Sequence, residues 1–299
     1  MPAAPDPLFD EDFLRRLEGL ALLARQLVSS RQRAERRSVQ RGASIEFAGY
    51  RPFGPGDDWR HIDWNAYARW RTLVLKLYSE EQDLPVHLLL DATASMDFGA
   101  PRKFDHARRV AAGLAYIALC NHDRLGLVAL DGGAPATLPP ARGRQRFQEV
   151  LGFLSARTAT TSPASLEEAA RRWLAARPAR GMAVWITDLW GSDPGDALKA
   201  LDRLRYARHE LSVIHIADPT EGDPGEAGEY RLVDRESGAV RTVVVDASLR
   251  RAYRERYAAY LDEIERHCRR HRIPLLRAET SEDVIGLLTR SLREKGFVQ

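Results

Sequence analysis

The sequence predicts a three-layer α/β fold, doubly wound around a mostly parallel sheet, with an N-terminal helix and a small β-containing extension. From Pro85 onward, short apolar runs alternate with segments of helical period over short connections, the pattern of successive βα units. Residues 86–90 (VHLLL) have no helical period and are bounded by Pro85 and small polar residues, as a strand buried on both faces reads. That strand ends on Asp91, followed by Thr93 and Ser95 at alternate positions. Open α/β sheets place their ligands at such strand ends.

In chain order, residues 1–37 form a tail and a helix. The tail, residues 1–8, is Pro-rich and reads as disordered. Phe13, Leu17, Leu20, Leu23 and Leu27 then recur at helical spacing within 10–36. Arg31, Arg33, Arg36 and Arg37 make the end of this helix basic, which complements its dipole and gives a solvated or a partner-facing surface. Residues 38–84 are a distinct extension, crowded with Gly, Pro and aromatics and closing on the alternating strand TLVLKLYSEE. Gly54-Pro55-Gly56 marks a turn, and Asp57 or Asp58 caps a short helix beginning near Trp59. Arg60 and Asp63 are spaced to pair, and Trp59 and Trp64 supply bulk to bury.

Residues 85–299 carry the α/β succession. A helix at 103–119 presents Phe104, Ala107, Val110, Ala111, Leu114 and Ala118 on one face. A strand follows at 125–130, then an edge strand at 134–138 that Pro139-Pro140 stops. Helices at 144–154 and 166–176 lead to a buried strand at 182–187, which ends, like the first, on an acid, Asp188. A helix (196–206), a strand (210–216) and an acidic Gly/Pro loop (218–228) come next. Strands at 230–233 and 240–245 read as a hairpin inserted near 229–246. A long helix (249–271), a strand (274–278) and a helix (282–293) close the fold.

At 299 residues the chain suffices for one large α/β domain and an appendage. The net charge is +3, with Arg interleaved among acids, so no compact basic patch points to nucleic acid. Cys120 and Cys268 lie far apart without metal spacing, which fits a reducing compartment. The N-terminus does not read as a signal peptide, and no apolar run approaches the ~18 residues of a membrane span. A cytoplasmic location is expected.

Asp91, Thr93, Ser95 and Asp188 form the sharpest constellation, because both acids end buried strands of one sheet. They offer hard oxygen donors without sulfur or imidazole, which suits Mg²⁺, Mn²⁺ or Ca²⁺ rather than zinc. The same residues also fit a turn in which Asp91 caps and the hydroxyls bond to backbone, and residue chemistry alone leaves both readings open. Asp57, Asp58, His61 and Asp63 read as a capped, salt-bridged turn or as a protein-binding surface. No second His stands four residues from His61, so a zinc-hydrolase pattern is missing.

Asp91-Ala92-Thr93-Ala94-Ser95 resembles the D-x-[S/T]-x-S start of the metal-ion-dependent adhesion site of von Willebrand factor A domains, and Thr187-Asp188 resembles that fold's second acidic element. A wider likeness covers roughly residue 38 to the C-terminus. Its landmarks are Gly56-Asp57-Asp58-x-Arg60-x-Ile62-Asp63-Trp64, Lys76-x-Tyr78-x-Glu80-Glu81, Ser95-Met96-x-Phe98-Gly99 and Asp123-Arg124-x-Gly126-Leu127. With these, the chain resembles the bacterial domain-of-unknown-function family 58. The resemblance implies a von Willebrand A-like domain with a signature extension, and a binding role beside a MoxR-type AAA+ ATPase. The resemblance implies a further hydroxyl from a Thr before the helix that begins near Leu166; by count that position is Ala164, with Thr161, Ser162 and Ser165 nearby as substitutes, of which Thr161 joins the candidate metal set.

The expected function is therefore a non-catalytic interaction module whose ion recruits an Asp or Glu from a protein partner. The alternative is a Mg²⁺-dependent hydrolase or phosphotransferase with Asp91 as nucleophile. Phosphatases of the haloacid-dehalogenase type need a second Asp two residues on, where this chain has Thr93. No Walker A, GxSxG or GxGxxG stands in strand–loop–helix context.

Overall fold

The computed structural model describes residues 6–20, 47–54, 57–78, 85–143, 145–160, 165–191, 193, 195–233 and 239–293. The chain divides into a larger unit, Met1–Val28 with Leu84–Gln299, and a smaller one, Ser29–Asp83. The larger unit contains α1 (residues 11–20) and, after the smaller unit, the α/β succession. The smaller unit pairs β1 (Phe47–Pro52) antiparallel with β2 (Val74–Tyr78), with α2 (Trp64–Trp70) between them in sequence.

In the larger unit, β3 (Val86–Asp91), α3 (Lys103–Cys120), β4 (Leu125–Leu130) and β5 (Ala136–Ala141) are followed by α4 (Arg146–Ser155) and α5 (Leu166–Ala175). Then come β6 (Met182–Thr187), α6 (Asp196–Tyr206), β7 (Glu210–Ala217), and the ribbon of β8 (Gly228–Val233) and β9 (Val240–Val245). The elements α7 (Ala247–His271), β10 (Leu275–Glu279) and α8 (Val284–Arg293) complete it. The six-stranded sheet has the order β10-β7-β6-β3-β4-β5, parallel except for the antiparallel edge β5.

The chain therefore enters the sheet in the middle, winds outward to β5, and returns to wind outward on the other side. The order reverses between β3 and β6, and the crevice at such a switch point is where doubly wound sheets bind ligands. Successive side chains on the central strands point to opposite faces, each with its own core. Leu88, Leu90, Val184 and Ile186 pack with α1, α3, α4 and α8, while Leu89, Ala183, Trp185 and Val213 pack with α5, α6 and α7.

Three expectations are corrected. Residues 6–8 are not disordered, since Asp6 caps a turn at Pro7–Phe9 and pairs with Arg108 at 2.8 Å, while Phe9 joins the core. The edge strand runs through Pro139 and Pro140 to Ala141 instead of stopping before them. On β5, three steps from Leu138 to Ala141 face two steps from Leu127 to Leu125 on β4, and this irregularity at a sheet edge accommodates residues without an N–H donor. Trp59 and Trp64 are not buried; they are 64% and 58% exposed, and Ile62 and Ala66 of the same segment turn inward in their place. Of the predicted helix at 10–36, residues 11–20 are seen, with Phe13, Leu17 and Leu20 in the core; the remainder lies outside the described residues, as does the turn of the hairpin.

Trp185 is the largest fully buried side chain of the sheet. Trp185→Ala should lower the unfolding free energy by about 3–5 kcal/mol in urea titrations, from lost apolar burial and the cavity left behind.

Candidate functional site

Asp91 and Thr187-Asp188 reach the same edge because β3 and β6 are parallel neighbours in register, Leu90 beside Ile186. Asp91 is fully buried. Its Oδ1 accepts from the Thr93 amide (3.0 Å) and the Thr93 hydroxyl (2.7 Å), and its Oδ2 accepts from the Thr187 hydroxyl (2.6 Å). Thr93 has one hydroxyl proton, committed to Asp91, so in the 3.0 Å contact between Thr93 Oγ1 and Ser95 Oγ it is Ser95 that donates. Burial and the charge of Asp188 push the Asp91 carboxyl up, to about 7, against the hydrogen bonds of Thr187 and Thr93 that favour its ionised form.

Asp188 has a separate set of partners. Its Oδ1 accepts from the Trp190 amide at 3.0 Å, and its Oδ2 from Lys103 Nζ at 2.7 Å. The ammonium of Lys103 also donates to Glu221 Oε1. Glu221 accepts from Trp190 Nε1 at 3.2 Å and, through Oε2, from the Asp218 amide at 3.0 Å, which ties the loop after β7 to the edge. Burial alone would lower the Lys103 pKa, but Asp188 and Glu221 outweigh it and hold it above the ordinary value. His215 on β7 is pushed down to about 4 by burial, and so stays neutral beneath Asp188.

Two backbone positions shape this edge. Leu189 sits in the left-handed region (φ 61°), uncommon for a bulky residue, with its amide bonded to Thr187 Oγ1 and its carbonyl to the Tyr260 hydroxyl. Gly99 has φ 88° and lies so close to the end of β7 that a Cβ there would come within 2.2 Å of Asp218 Oδ2. Only glycine fits.

The structure thus brings Asp91, Thr93, Ser95 and Asp188 together. Thr161 and Ala164 lie outside the described residues. Ser165 caps α5, accepting from the Glu168 amide and donating to Asp196 at 2.6 Å, so its hydroxyl serves the helix. Sequence reasoning missed Thr187 as the second hydroxyl on Asp91, Thr160, whose amide bonds the Ala92 carbonyl at 2.8 Å, and above all Lys103 and Glu221. Lys103 left one signal, a cation in the first turn of a helix, where the dipole disfavours it.

Thr93 and Ser95 fit a hard cation. Octahedral Mg²⁺ with oxygens at about 2.0–2.1 Å sets neighbouring ligands about 2.9–3.0 Å apart, and the two hydroxyl oxygens stand 3.0 Å apart beside a buried carboxylate. Ser95 borders a cavity of about 600 Å³ walled by Phe98, Lys103, Trp190, Leu232 and Tyr253. From it the rings of Trp190, Tyr257 and Tyr260 line a second groove of about 790 Å³, with Trp190 stacked on Tyr260 at 5.2 Å. Away from this edge, Asp202, His267 and His271 gather on α6 and α7, but Asp202 already accepts from Arg205 at 3.2 Å.

Residues 49–262 match the family described as "Protein of unknown function DUF58". The chain belongs to this family. Among curated proteins, the uncharacterized protein Rv1480 of Mycobacterium tuberculosis is 31% identical over 258 residues, covering 83% of this chain and 79% of its own length, and Mb1516 of Mycobacterium bovis matches equally. Solved structures of similar fold include BatB of Bacteroides thetaiotaomicron (16% identity, 71% of this chain and 98% of that one, TM-score 0.42) and the VWA domain of SpRpn10 (14% identity, 72% and 100%, TM-score 0.42).

The DUF58 match takes in the smaller unit from residue 49 onward, where each acid of the GDDWRHIDW element has a structural bond. Asp57 makes a two-pronged pair with Arg51 at 2.6 and 2.5 Å and accepts from the Gly54 amide. Asp58 caps the turn at Trp59–His61, with Arg60 over the Trp59 ring, and Asp63 caps α2 while accepting from the Tyr50 hydroxyl at 3.0 Å. Gly56 lies outside the described residues.

The raised pKa of Asp91 has a stability consequence in metal-free buffer. Its contribution is complete below the unfolded value near 3.8 and is lost as pH rises through about 7. Denaturant titrations in EDTA should therefore show wild type losing stability relative to Asp91→Asn between about pH 4 and about pH 7.

Proposed function

We propose that this protein is a non-catalytic interaction module that receives an Asp or Glu side chain of a protein partner through a divalent cation held by Asp91, Thr93 and Ser95. The observation that carries this reading is the hydroxyl pair on a buried carboxylate at the switch point, opening through Ser95 into a cavity with apolar walls. Mg²⁺ is the preferred ion, with Mn²⁺ or Ca²⁺ able to take its place. The ion would have mostly neutral oxygens from the protein, which leaves it electrophilic toward an external carboxylate. Thr161 is assigned by the same proposal as a third hydroxyl.

The exposed Leu232, Val233, Val240 and Val244 on the β8–β9 ribbon support a protein partner, since such apolar surface beside a polar site is typical of interfaces. Membership of DUF58 supports a MoxR-type AAA+ ATPase as that partner, in a chaperone-like or complex-assembly role. Cys120 and Cys268, both buried and far apart in sequence, support the cytoplasm as its place of work. Among the described residues, no helix is long and apolar enough to cross a membrane.

Ser95→Ala removes one oxygen ligand without changing charge. Calorimetry with Mg²⁺ and Mn²⁺ should show about tenfold weaker ion binding with the thermal melt preserved, and capture of the partner should fail in EDTA. Wild type that binds no ion at millimolar metal would sink the ion reading. Metal-dependent cleavage of a phosphate ester, abolished by Asp91→Asn, would establish the hydrolase in its place.

A further inference from the structure

The two acids at the sheet edge are served by separate sets of donors. Asp91 is bonded by the hydroxyls of Thr93 and Thr187 and by an amide, whereas Asp188 is bonded by Lys103 Nζ and the Trp190 amide. The Lys103 side chain is 1% exposed, that of Asp188 0%, and that of Glu221 7%. The ammonium therefore lies between two buried carboxylates, and its charge also reaches the carboxylate of Asp218. A buried ammonium placed so has no role as a solvated surface cation, and buried charges persist where they are paired. A divalent ion that used Asp188 would have to approach within a few ångströms of this fixed positive charge, and at such range in a dry interior the repulsion is strong.

We propose that Lys103 is the resident cation of this edge. It neutralises Asp188 and Glu221, so Asp188 is a positioning residue and not an ion ligand. An ion at the edge is held by Asp91, Thr93 and Ser95 without it. Lys103 also fixes the loop carrying Glu221 against Trp190, which shapes the cavity beside Ser95. The ion half of this proposal rests on the reading above; the Lys103 half stands apart from it.

Mn²⁺ titration followed by electron paramagnetic resonance, together with thermal melts in EDTA and in millimolar Mn²⁺, tests both halves. Asp188→Asn should leave Mn²⁺ affinity within about twofold of wild type, whereas Ser95→Ala should weaken it about tenfold. Lys103→Met leaves two buried carboxylates without a counter-charge, so its melting temperature should fall in EDTA. Millimolar Mn²⁺ should then restore much of that loss, a larger upward shift than it gives wild type, because the freed acids now take the ion. Loss of Mn²⁺ binding in Asp188→Asn as deep as in Ser95→Ala would overturn the proposal, as would a Lys103→Met protein that Mn²⁺ stabilises no more than wild type. Wild type that binds no Mn²⁺ would defeat the ion reading alone, while Lys103→Met still decides the role of the lysine. Should Lys103→Met fail to fold, the neutral triple variant Lys103→Met, Asp188→Asn, Glu221→Gln should fold again, and its failure to do so would count against a charge-balancing role.

Discussion

Two neighbouring parallel strands deliver a carboxylate each to one dry edge, and the charge of Asp188 together with burial opposes ionisation of Asp91. Much of the surrounding structure answers this constraint. Asp91 is met by dipoles, two hydroxyls and an amide, which lower the cost of its charge without cancelling it. Asp188 is met by a whole charge, Lys103, brought from the first turn of α3 across the crevice. The two acids are thus treated unequally: Asp188 has a buried counter-charge within hydrogen-bond reach, whereas Asp91 has dipoles only.

The loops follow from the same requirement. Glu221 joins Lys103 only because the chain after β7 turns back over the edge, and that turn passes so near Gly99 that no side chain fits there. Leu189 accepts a left-handed backbone in order to leave Thr187 facing Asp91 while Trp190 returns its amide to Asp188. Tyr260 then bonds the Leu189 carbonyl, so α7 is fastened to the same corner and its aromatic face becomes one wall of the groove. Polar satisfaction at the edge and the shape of the neighbouring cavity are thus one feature.

The sheet and the positions of Asp91, Thr93, Ser95 and Asp188 were legible in the sequence, because burial on both faces and the acid at a strand end are local signals. Lys103 was hidden because its partners lie 85 and 118 residues further along the chain, and no spacing rule links them. The tryptophans misled for a different reason. Aromatic bulk predicts contact area but not which side of a short helix faces the core, and in the segment from Trp59 to Ala66 the smaller Ile62 and Ala66 take that side. In β5 the local rule that proline ends a strand gave way to position in the sheet, since an edge strand leaves one set of backbone groups unpaired anyway.

The geometry of Asp91 also bears on whether it attacks anything. A carboxylate nucleophile needs a free lone pair aimed at an electrophile and a neighbour that supplies or takes a proton. Here three of its roughly four acceptor positions are taken, two on Oδ1 by Thr93 and one on Oδ2 by Thr187, and the nearest hydroxyl, that of Thr93, gives its proton to Asp91 itself. The group two residues on is thus committed to holding the acid in place, and being an alcohol it does not ionise near neutral pH to serve as a general acid or base. Lys103, the one buried ammonium at this edge among the described residues, is held by Asp188 and Glu221 with a raised pKa, so it stays protonated and makes a poor base. Ser95, partly exposed and bordering the cavity, is the outlet of this edge, where the proposed cation would meet an acid of a partner.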